Sequence, residues 1–145
     1  MSSELSKNVN ELLELIDFMH FYKTHVSYFQ SSIVNILRFY LKEKNSSLRF
    51  INECLDFCNM KDFHSAWNMA VEKNRLHSSE VTAILFDFGN RIGTSDVETQ
   101  LKYIDYYIDE ISRYLRIARS KEKENKRLYI ILGVSAGLLM AIMII

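Results

Sequence analysis

Residues 95–145 read SDVETQLKYIDYYIDEISRYLRIARSKEKENKRLYIILGVSAGLLMAIMII, and this stretch decides the fold. It contains no proline and opens with the pattern of a capping box, in which Ser95 can accept from the Glu98 amide while Glu98 reaches back to the Ser95 backbone. Apolar positions then alternate in steps of four and three, the pattern of a helix packed along a nearly parallel partner. These positions are Val97, Leu101, Ile104, Ile108, Ile111, Leu115 and Ala118.

The end of this stretch changes character twice. Residues 119–127 are charged nearly all round, whereas residues 128–145 contain no charged side chain. As a helix, the apolar run is about 27 Å long, close to the roughly 30 Å of a bilayer core. A chain of 145 residues is too small to bury a helix that is apolar on every side. The sequence therefore predicts one helix that leaves a bundle and enters a membrane.

The charges beside the apolar run predict its orientation. Six cations precede it, against only Glu122 and Glu124. By the positive-inside rule the bundle stays in the cytoplasm and only the C-terminus crosses. The cations are Arg116, Arg119, Lys121, Lys123, Lys126 and Arg127.

Composition limits the fold and excludes one class of partner. The chain has no proline and only four glycines, which favours an all-helical protein. The 18 basic and 18 acidic residues cancel, so no basic field predicts a nucleic-acid partner. Cys54 and Cys58 lie four residues apart and fit buried thiols in a reducing cytoplasm.

The first part of the chain carries a second seam with a seven-residue repeat. We expect it to form one long helix, bent near Thr24–His25, that pairs with the helix starting at Val97 as an antiparallel hairpin. The repeat positions are Leu12, Met19, Val26, Ile33 and Tyr40.

Three short helices are predicted between the two long ones. They cover about 48–58 and 62–74, with a last one that starts after Ser78 or Ser79 and ends within 89–93. The expected fold is an all-α antiparallel bundle of about five helices, two long and three short. The expected division is a cytoplasmic bundle at 1–118, a charged stalk at 119–127 and a transmembrane helix at 128–145.

No pattern in the sequence supports catalysis, a metal, a cofactor or a small-molecule substrate. Nucleophile-elbow, zinc-protease and phosphate-loop motifs are absent, and Cys54 and Cys58 lack the further ligands of a zinc site. A membrane-bound enzyme stays open only if the fold brings His20, His64 and Asp62 into one pocket.

Two groups of side chains have both a binding and a purely structural interpretation. Tyrosines near the long seam can form a binding face or pack at the rim of the core. A stripe of small residues in the apolar run lets another membrane helix approach, although small residues are common in such helices. The groups are Tyr103, Tyr106, Tyr107 and Tyr114, and Gly133, Gly137 and Ala141.

Residues 88–100, FGNRIGTSDVETQ, resemble the stage III sporulation protein AB family of endospore-forming bacteria. An Ala66-Trp67 pair followed by Ala70, and the stalk with its apolar run, are also similar to the family. One difference is that members usually begin with a membrane helix, whereas residues 1–7 here are mostly polar. The chain is therefore either a short member or one whose start has been trimmed. The matching motif positions are Gly89, Ile92, Gly93, Ser95, Asp96 and Gln100.

The resemblance implies a helical domain like the cytoplasmic domains of type II secretion system F proteins, which are membrane platforms without catalytic activity. The implied machine joins mother cell to forespore, with the bundle on the mother-cell side of the engulfing membrane. Its implied partners are the stage III AA ATPase and the other AA–AH proteins.

The motif residues have structural roles on this interpretation. Gly89 and Gly93 would permit a tight turn between helices, and Ser95 and Glu98 would cap the long helix. Asp96 would favour the helix dipole, and Gln100 would tie the turn to a neighbouring helix or a partner. The alternative function is a tail-anchored interaction protein of the apoptosis-regulator type, which is also an α-bundle with a C-terminal anchor.

Overall fold

The computed structural model describes residues 2–29, 32–44, 46, 48–92 and 96–144, and within these it is all-α, without strands. The all-α prediction is confirmed, with six helices in the described residues rather than about five. They are α1 (Ser2–Phe29), α2 (Ile33–Glu43), α3 (Arg49–Phe57), α4 (Phe63–Lys73), α5 (Ser79–Arg91) and α6 (Val97–Ile144).

The two longest helices, α1 and α6, pack along each other in opposite directions. Near the start of α1, the Ser6 hydroxyl donates to Glu122 Oε1 at 3.3 Å. Towards its end, the Tyr22 hydroxyl donates to Gln100 Oε1 at 3.1 Å. Low residue numbers therefore meet high ones, and the predicted antiparallel pairing is confirmed.

The buried face of α6 differs from the predicted seam at several positions. Ile104, Ile111 and Leu115 are buried as expected, whereas Val97 is 38% exposed. Gln100 and Tyr107 lie inside the seam instead. The polar group of each side chain forms a hydrogen bond with another helix. These bonds offset the free-energy cost of removing the polar groups from water.

The predicted long first helix is in fact two helices. Ser32 begins α2 as its N-cap, and its side chain accepts from the Asn35 amide. The expected bend at Thr24–His25 stays a prediction: α1 continues through both residues, whose side chains bond carbonyl groups four residues earlier. The apolar spacing continues across the break, so it carried no sign of the chain reversal that packs α2 back on α1.

The three short helices agree with the predicted ranges to within a few residues. Ser78 is the N-cap of α5, and its hydroxyl accepts from the Val81 amide at 3.2 Å. The N-cap of α3 is Leu48, whose amide donates to the Ser46 side chain.

An aromatic cluster joins all six helices around Trp67. The ring of Trp67 lies 5.1 Å from that of Phe88 and 5.4 Å from that of Phe50. Aromatic pairs at such separations stabilise a core beyond the area they bury. The members, in helix order, are Phe18, Tyr40, Phe50, Trp67, Phe88 and Tyr107.

The last part of α6 leaves this core and has no buried residue. From Leu128 to Ile144 every residue is exposed. Among the described residues, α6 alone is long and apolar enough to cross a membrane. It is a candidate membrane anchor, continuous with the helix that packs on α1.

Candidate functional site

The family-like motif lies where α5 ends and α6 begins. Ile92 is buried at the C-cap of α5, and Asp96 directly precedes α6, where its carbonyl accepts from the Gln100 amide. Glu98 is exposed in the first turn of α6. Gly93 and Ser95 lie outside the described residues, so the predicted turn glycine and capping box stay predictions.

Gly89 does not lie in the turn, as its expected role required, but within the last part of α5. A Cβ atom built on Gly89 would be 2.1 Å from Cδ1 of Trp67, far inside contact distance. Trp67 is fully buried and carries the aromatic cluster, so its ring cannot move aside cheaply. The glycine is required for close packing of α5 on α4, and not for backbone freedom.

Two side chains of α4 also bond the backbone of α5 beside this contact. The indole Nε1 of Trp67 donates to the Leu85 carbonyl at 2.7 Å. His64 Nδ1 lies 2.6 Å from the Gly89 carbonyl, so the tautomer protonated at Nδ1 donates to it. The three contacts fix the end of α5, and therefore the point from which the chain enters α6.

Gln100 takes the role that the sequence suggested, as a tie to a neighbouring helix. Its side chain is only 9% exposed and accepts from the Tyr22 hydroxyl on α1. A buried amide without partners would cost about 1–3 kcal/mol, so this bond fixes the register of α6 on α1.

A second tie connects α5 to α6 at Asp87. The Tyr107 hydroxyl donates to Asp87 Oδ2 at 2.5 Å, and Arg91 Nε donates to both carboxylate oxygens at 3.0 Å. The Arg91 guanidinium lies 4.6 Å from the centre of the Tyr103 ring. The network was not predicted, because the approach of Asp87 and Arg91 on α5 to Tyr103 and Tyr107 on α6 depends on how the two helices pack.

The Asp87 network forms one side of an open groove of about 640 Å³ between α5 and α6. Of the four tyrosines near the seam, Tyr107 is buried and Tyr106 is 57% exposed, so the binding and core interpretations each fit part of the set. Tyr114 lies at a different cavity. The groove is lined by Ala83, Ile84, Asp87, Arg91, Lys102, Tyr103, Tyr106 and Tyr107.

Burial sets the ionisation of three tyrosines in the bundle. It raises the pKa of Tyr40 to about 12. It also raises the pKa of Tyr22, and that of Tyr107, where the Asp87 carboxylate acts in the same direction. All three hydroxyls are neutral at physiological pH, and those of Tyr22 and Tyr107 donate to side chains of other helices.

The remaining chemical candidates do not assemble into a site in the described part of the chain. No group of three or more His, Cys, Asp or Glu side chains there is placed to hold a metal ion. Cys54 is fully buried, and burial raises the pKa of its thiol. His64 is bonded to the Gly89 carbonyl, and His20 is exposed on α1.

The small-residue stripe lies on the exposed end of α6. Neither Gly133 nor Gly137 would bring an added Cβ within 4 Å of another atom. Ala141 is exposed as well. The stripe is open to whatever surrounds this helix.

These observations define a class of protein: a helical bundle, held by buried ties between helices, whose last helix continues into a candidate membrane anchor. The comparison with protein families identifies the member of that class. The family model of stage III sporulation protein AB matches residues 1–145, and the chain belongs to this family. Membership implies a role in stage III of sporulation, in a family not known for enzymes. No curated protein and no solved structure matches the chain.

Proposed function

We propose that the protein is a non-enzymatic platform in a secretion-like complex between mother cell and forespore. Residues 1–118 form its cytoplasmic bundle, 119–127 its stalk and 128–145 its transmembrane helix. The family supports the sporulation setting and favours it over an apoptosis-regulator type of function.

One observation carries the proposal: α6 is a single helix of 48 residues that begins in the bundle and ends in the candidate anchor. Ile104 and Ile111 are fully buried, whereas Leu138 and Leu139 are exposed. Aliphatic residues at the centre of a membrane helix each favour insertion by about 0.3–0.6 kcal/mol. A bilayer is thus the surrounding that suits the second half of the helix.

The orientation follows from the cations before the apolar run. They outnumber the acids in the stalk, which favours a cytoplasmic bundle on the mother-cell side. In this orientation the bundle is accessible to a cytoplasmic ATPase.

The partners are the stage III AA ATPase and the other AA–AH proteins. A continuous helix transmits a displacement of the bundle to the membrane, since helices bend little without a proline or an inserted group. The stripe formed by Gly133, Gly137 and Ala141 is the proposed contact with another membrane helix of the complex.

A paired substitution in the stalk tests coupling separately from anchoring. Lys123 is exposed, so Lys123→Pro removes a helical hydrogen bond without disturbing the bundle core, and Lys123→Ala is its matched control. We expect both tagged variants to remain in the membrane fraction and to recover the AA ATPase from sporulating cells. Only the proline variant should stop sporulation at stage III.

Two results would contradict the proposal. The first is wild-type protein in the soluble fraction, which would remove the anchor. The second is a failure of wild-type protein to recover the AA ATPase, which would remove the platform role.

A further inference from the structure

The membrane-proximal half of α6 presents a basic face of four cations, with the exposed Glu124 close to it. Its four members, spaced by three, four and four residues, lie on one side of the helix and are exposed. No member forms an ion pair within the described residues. The nearby Glu122 is already engaged, with Lys126 at 3.4 Å and with the Ser6 hydroxyl. The basic face consists of Arg116, Arg119, Lys123 and Arg127.

The upper end of the basic face borders a shallow cleft of about 490 Å³. Ile117 lies in it and is 42% exposed, which gives an apolar contact beside three cations and the Glu124 carboxylate. Arg113 is held in place by Glu110 at 3.0 Å and by the Tyr114 ring, 4.6 Å from its guanidinium. The cleft is lined by Arg113, Arg116, Ile117, Ser120, Lys121 and Glu124.

Lipid headgroups reach only the lower end of this face if residues 128–145 span the membrane as proposed. The headgroup layer is about 5–7 Å thick on each side of the hydrocarbon core. Counted from Leu128 at about 1.5 Å per residue, Arg127 lies within that layer, whereas Arg119 is about 13 Å and Arg116 about 18 Å away. Helical side chains also lean towards the N-terminus, which is away from the membrane here.

A second copy of the chain is equally unsuited to this face. Copies in one membrane are parallel and at the same height, so like charges would face each other. At the height of the basic face, Glu122 is engaged with Lys126 and the Ser6 hydroxyl, which leaves Glu124 against the four cations of the facing copy. The other acidic side chains of α6 lie about 9 Å or more above Arg116. A shared membrane prevents the shift that would bring them opposite the basic face.

We propose that Arg116, flanked by Arg119 on one side of the helix and by Ile117 on the other, forms a docking surface for an acidic, amphipathic segment of a partner protein. Carboxylates would pair with the two guanidiniums in the bidentate geometry that arginine favours. An aliphatic side chain of the same segment would cover Ile117. The inference rests on the proposed anchor, which sets the height of this surface above the membrane.

The test uses the full chain in phosphatidylcholine nanodiscs, which expose both sides of the membrane. The probe is a fluorescent helical peptide with glutamates along one face and leucines beside them, and its control carries glutamines instead. Arg116→Gln/Arg119→Gln is compared with Lys126→Gln/Arg127→Gln, which removes equal charge at headgroup height. Ile117→Ser tests the apolar contact.

We expect the upper pair to raise the Kd of the acidic peptide roughly fivefold, from two partly exposed charge pairs, and the lower pair to change it less than about twofold. Ile117→Ser should also weaken binding, and the glutamine peptide should bind poorly. An equal loss from both pairs, or equal binding of both peptides, would overturn the proposal.

Nanodiscs that contain phosphatidylglycerol separate the lipid from the protein partner. If anionic lipid abolishes peptide binding by wild-type protein, the face binds headgroups and the proposal is wrong. Retained peptide binding supports a protein partner. Failure of the chain to enter nanodiscs would contradict the anchor itself, whereas a membrane-embedded chain that ignores the peptide would contradict only the docking surface.

Discussion

Glycine and tyrosine have opposite surroundings in the bundle and in the exposed end of α6. A methyl group added to Gly89 would be 2.1 Å from Trp67 Cδ1, whereas one added to Gly137 would meet no atom within 4 Å. Tyr107 is buried and bonded to Asp87, whereas Tyr129 is 57% exposed. Glycine inside a helix costs about 1 kcal/mol relative to alanine. The contact with Trp67 explains that cost at Gly89, whereas no contact within 4 Å explains it at Gly137.

The largest expected effect is a loss of bundle stability at alkaline pH, because the buried tyrosines lie in the bundle and not in the exposed end of α6. Tyr22, Tyr40 and Tyr107 have pKa values raised above the ordinary 10.0, so the folded state keeps protons that the unfolded state releases. Their stabilisation is complete below pH 10 and is lost as pH rises from there towards the folded pKa values. The loss is about 1.4 kcal/mol per pH unit for each tyrosine, or about 4 kcal/mol for all three.

Urea unfolding in detergent, followed by Trp67 fluorescence at about pH 9 and about pH 11, measures this loss. Tyr107→Phe should make the decline shallower, since it removes one of the titrating groups. Tyr129→Phe is the control and should leave the decline unchanged. Equal unfolding midpoints at the two pH values would show that the buried tyrosines do not control stability.

Gly89→Ala should cause the next largest loss. The new methyl group must displace the fully buried Trp67, and overpacking of a core typically costs about 1–3 kcal/mol. We expect about 3 kcal/mol, because the distance is so short and the indole is rigid. The measurement is again urea unfolding, and Gly137→Ala is the matched control. A Gly89→Ala variant as stable as wild type would mean that helix propensity, and not packing, governs this position.

Features that depend only on residues close together in the sequence, such as the length of a helix, were predicted from local patterns. The run from Val97 to Ile144 has a helical pattern throughout, and the structure has one helix there. Gly89 and Trp67 are far apart in the sequence, so their contact was not predictable from local patterns. In the sequence, a glycine near a predicted turn does not reveal whether it serves the turn or the packing of two helices. The division of the first helix was missed for a related reason, since apolar spacing is indifferent to a reversal of the chain.

The buried faces of α1 and α6 also contain residues that were not predicted to be buried. Leu15 and Phe18 are completely buried on α1 although neither was assigned to the predicted seam. Leu15 lies three residues after Leu12 and four before Met19 and so fits the repeat, whereas Phe18 shows that the buried face is wider than one seam. Tyr107 was predicted on the flank of the seam, but it is buried and its hydroxyl donates to a partner on α5. That partner, Asp87, becomes evident only when α5 and α6 are placed side by side.

Gln100→Leu should destabilise the bundle by about 2 kcal/mol, since it leaves the buried Tyr22 hydroxyl without its acceptor. Combined with Tyr22→Phe, the loss should be smaller than the sum of the two single losses. A double-mutant cycle of unfolding free energies measures this coupling. Additive losses would show that the two side chains contribute independently, and that this bond does not set the register of α6 on α1.

Gly137→Leu should have the smallest effect on the bundle, within about 0.5 kcal/mol, because the residue contacts nothing in the chain. Its effect should appear in assembly, since a leucine on the small-residue stripe keeps a second helix at a greater distance. Ser135→Leu is the matched control, because residue 135 lies on the opposite side of the helix from residue 137. Recovery of the partner membrane proteins from sporulating membranes should fall for Gly137→Leu and not for Ser135→Leu. Equal recovery would remove the stripe from the interface, and a lower unfolding midpoint for Gly137→Leu would show that the two regions of the molecule are coupled after all.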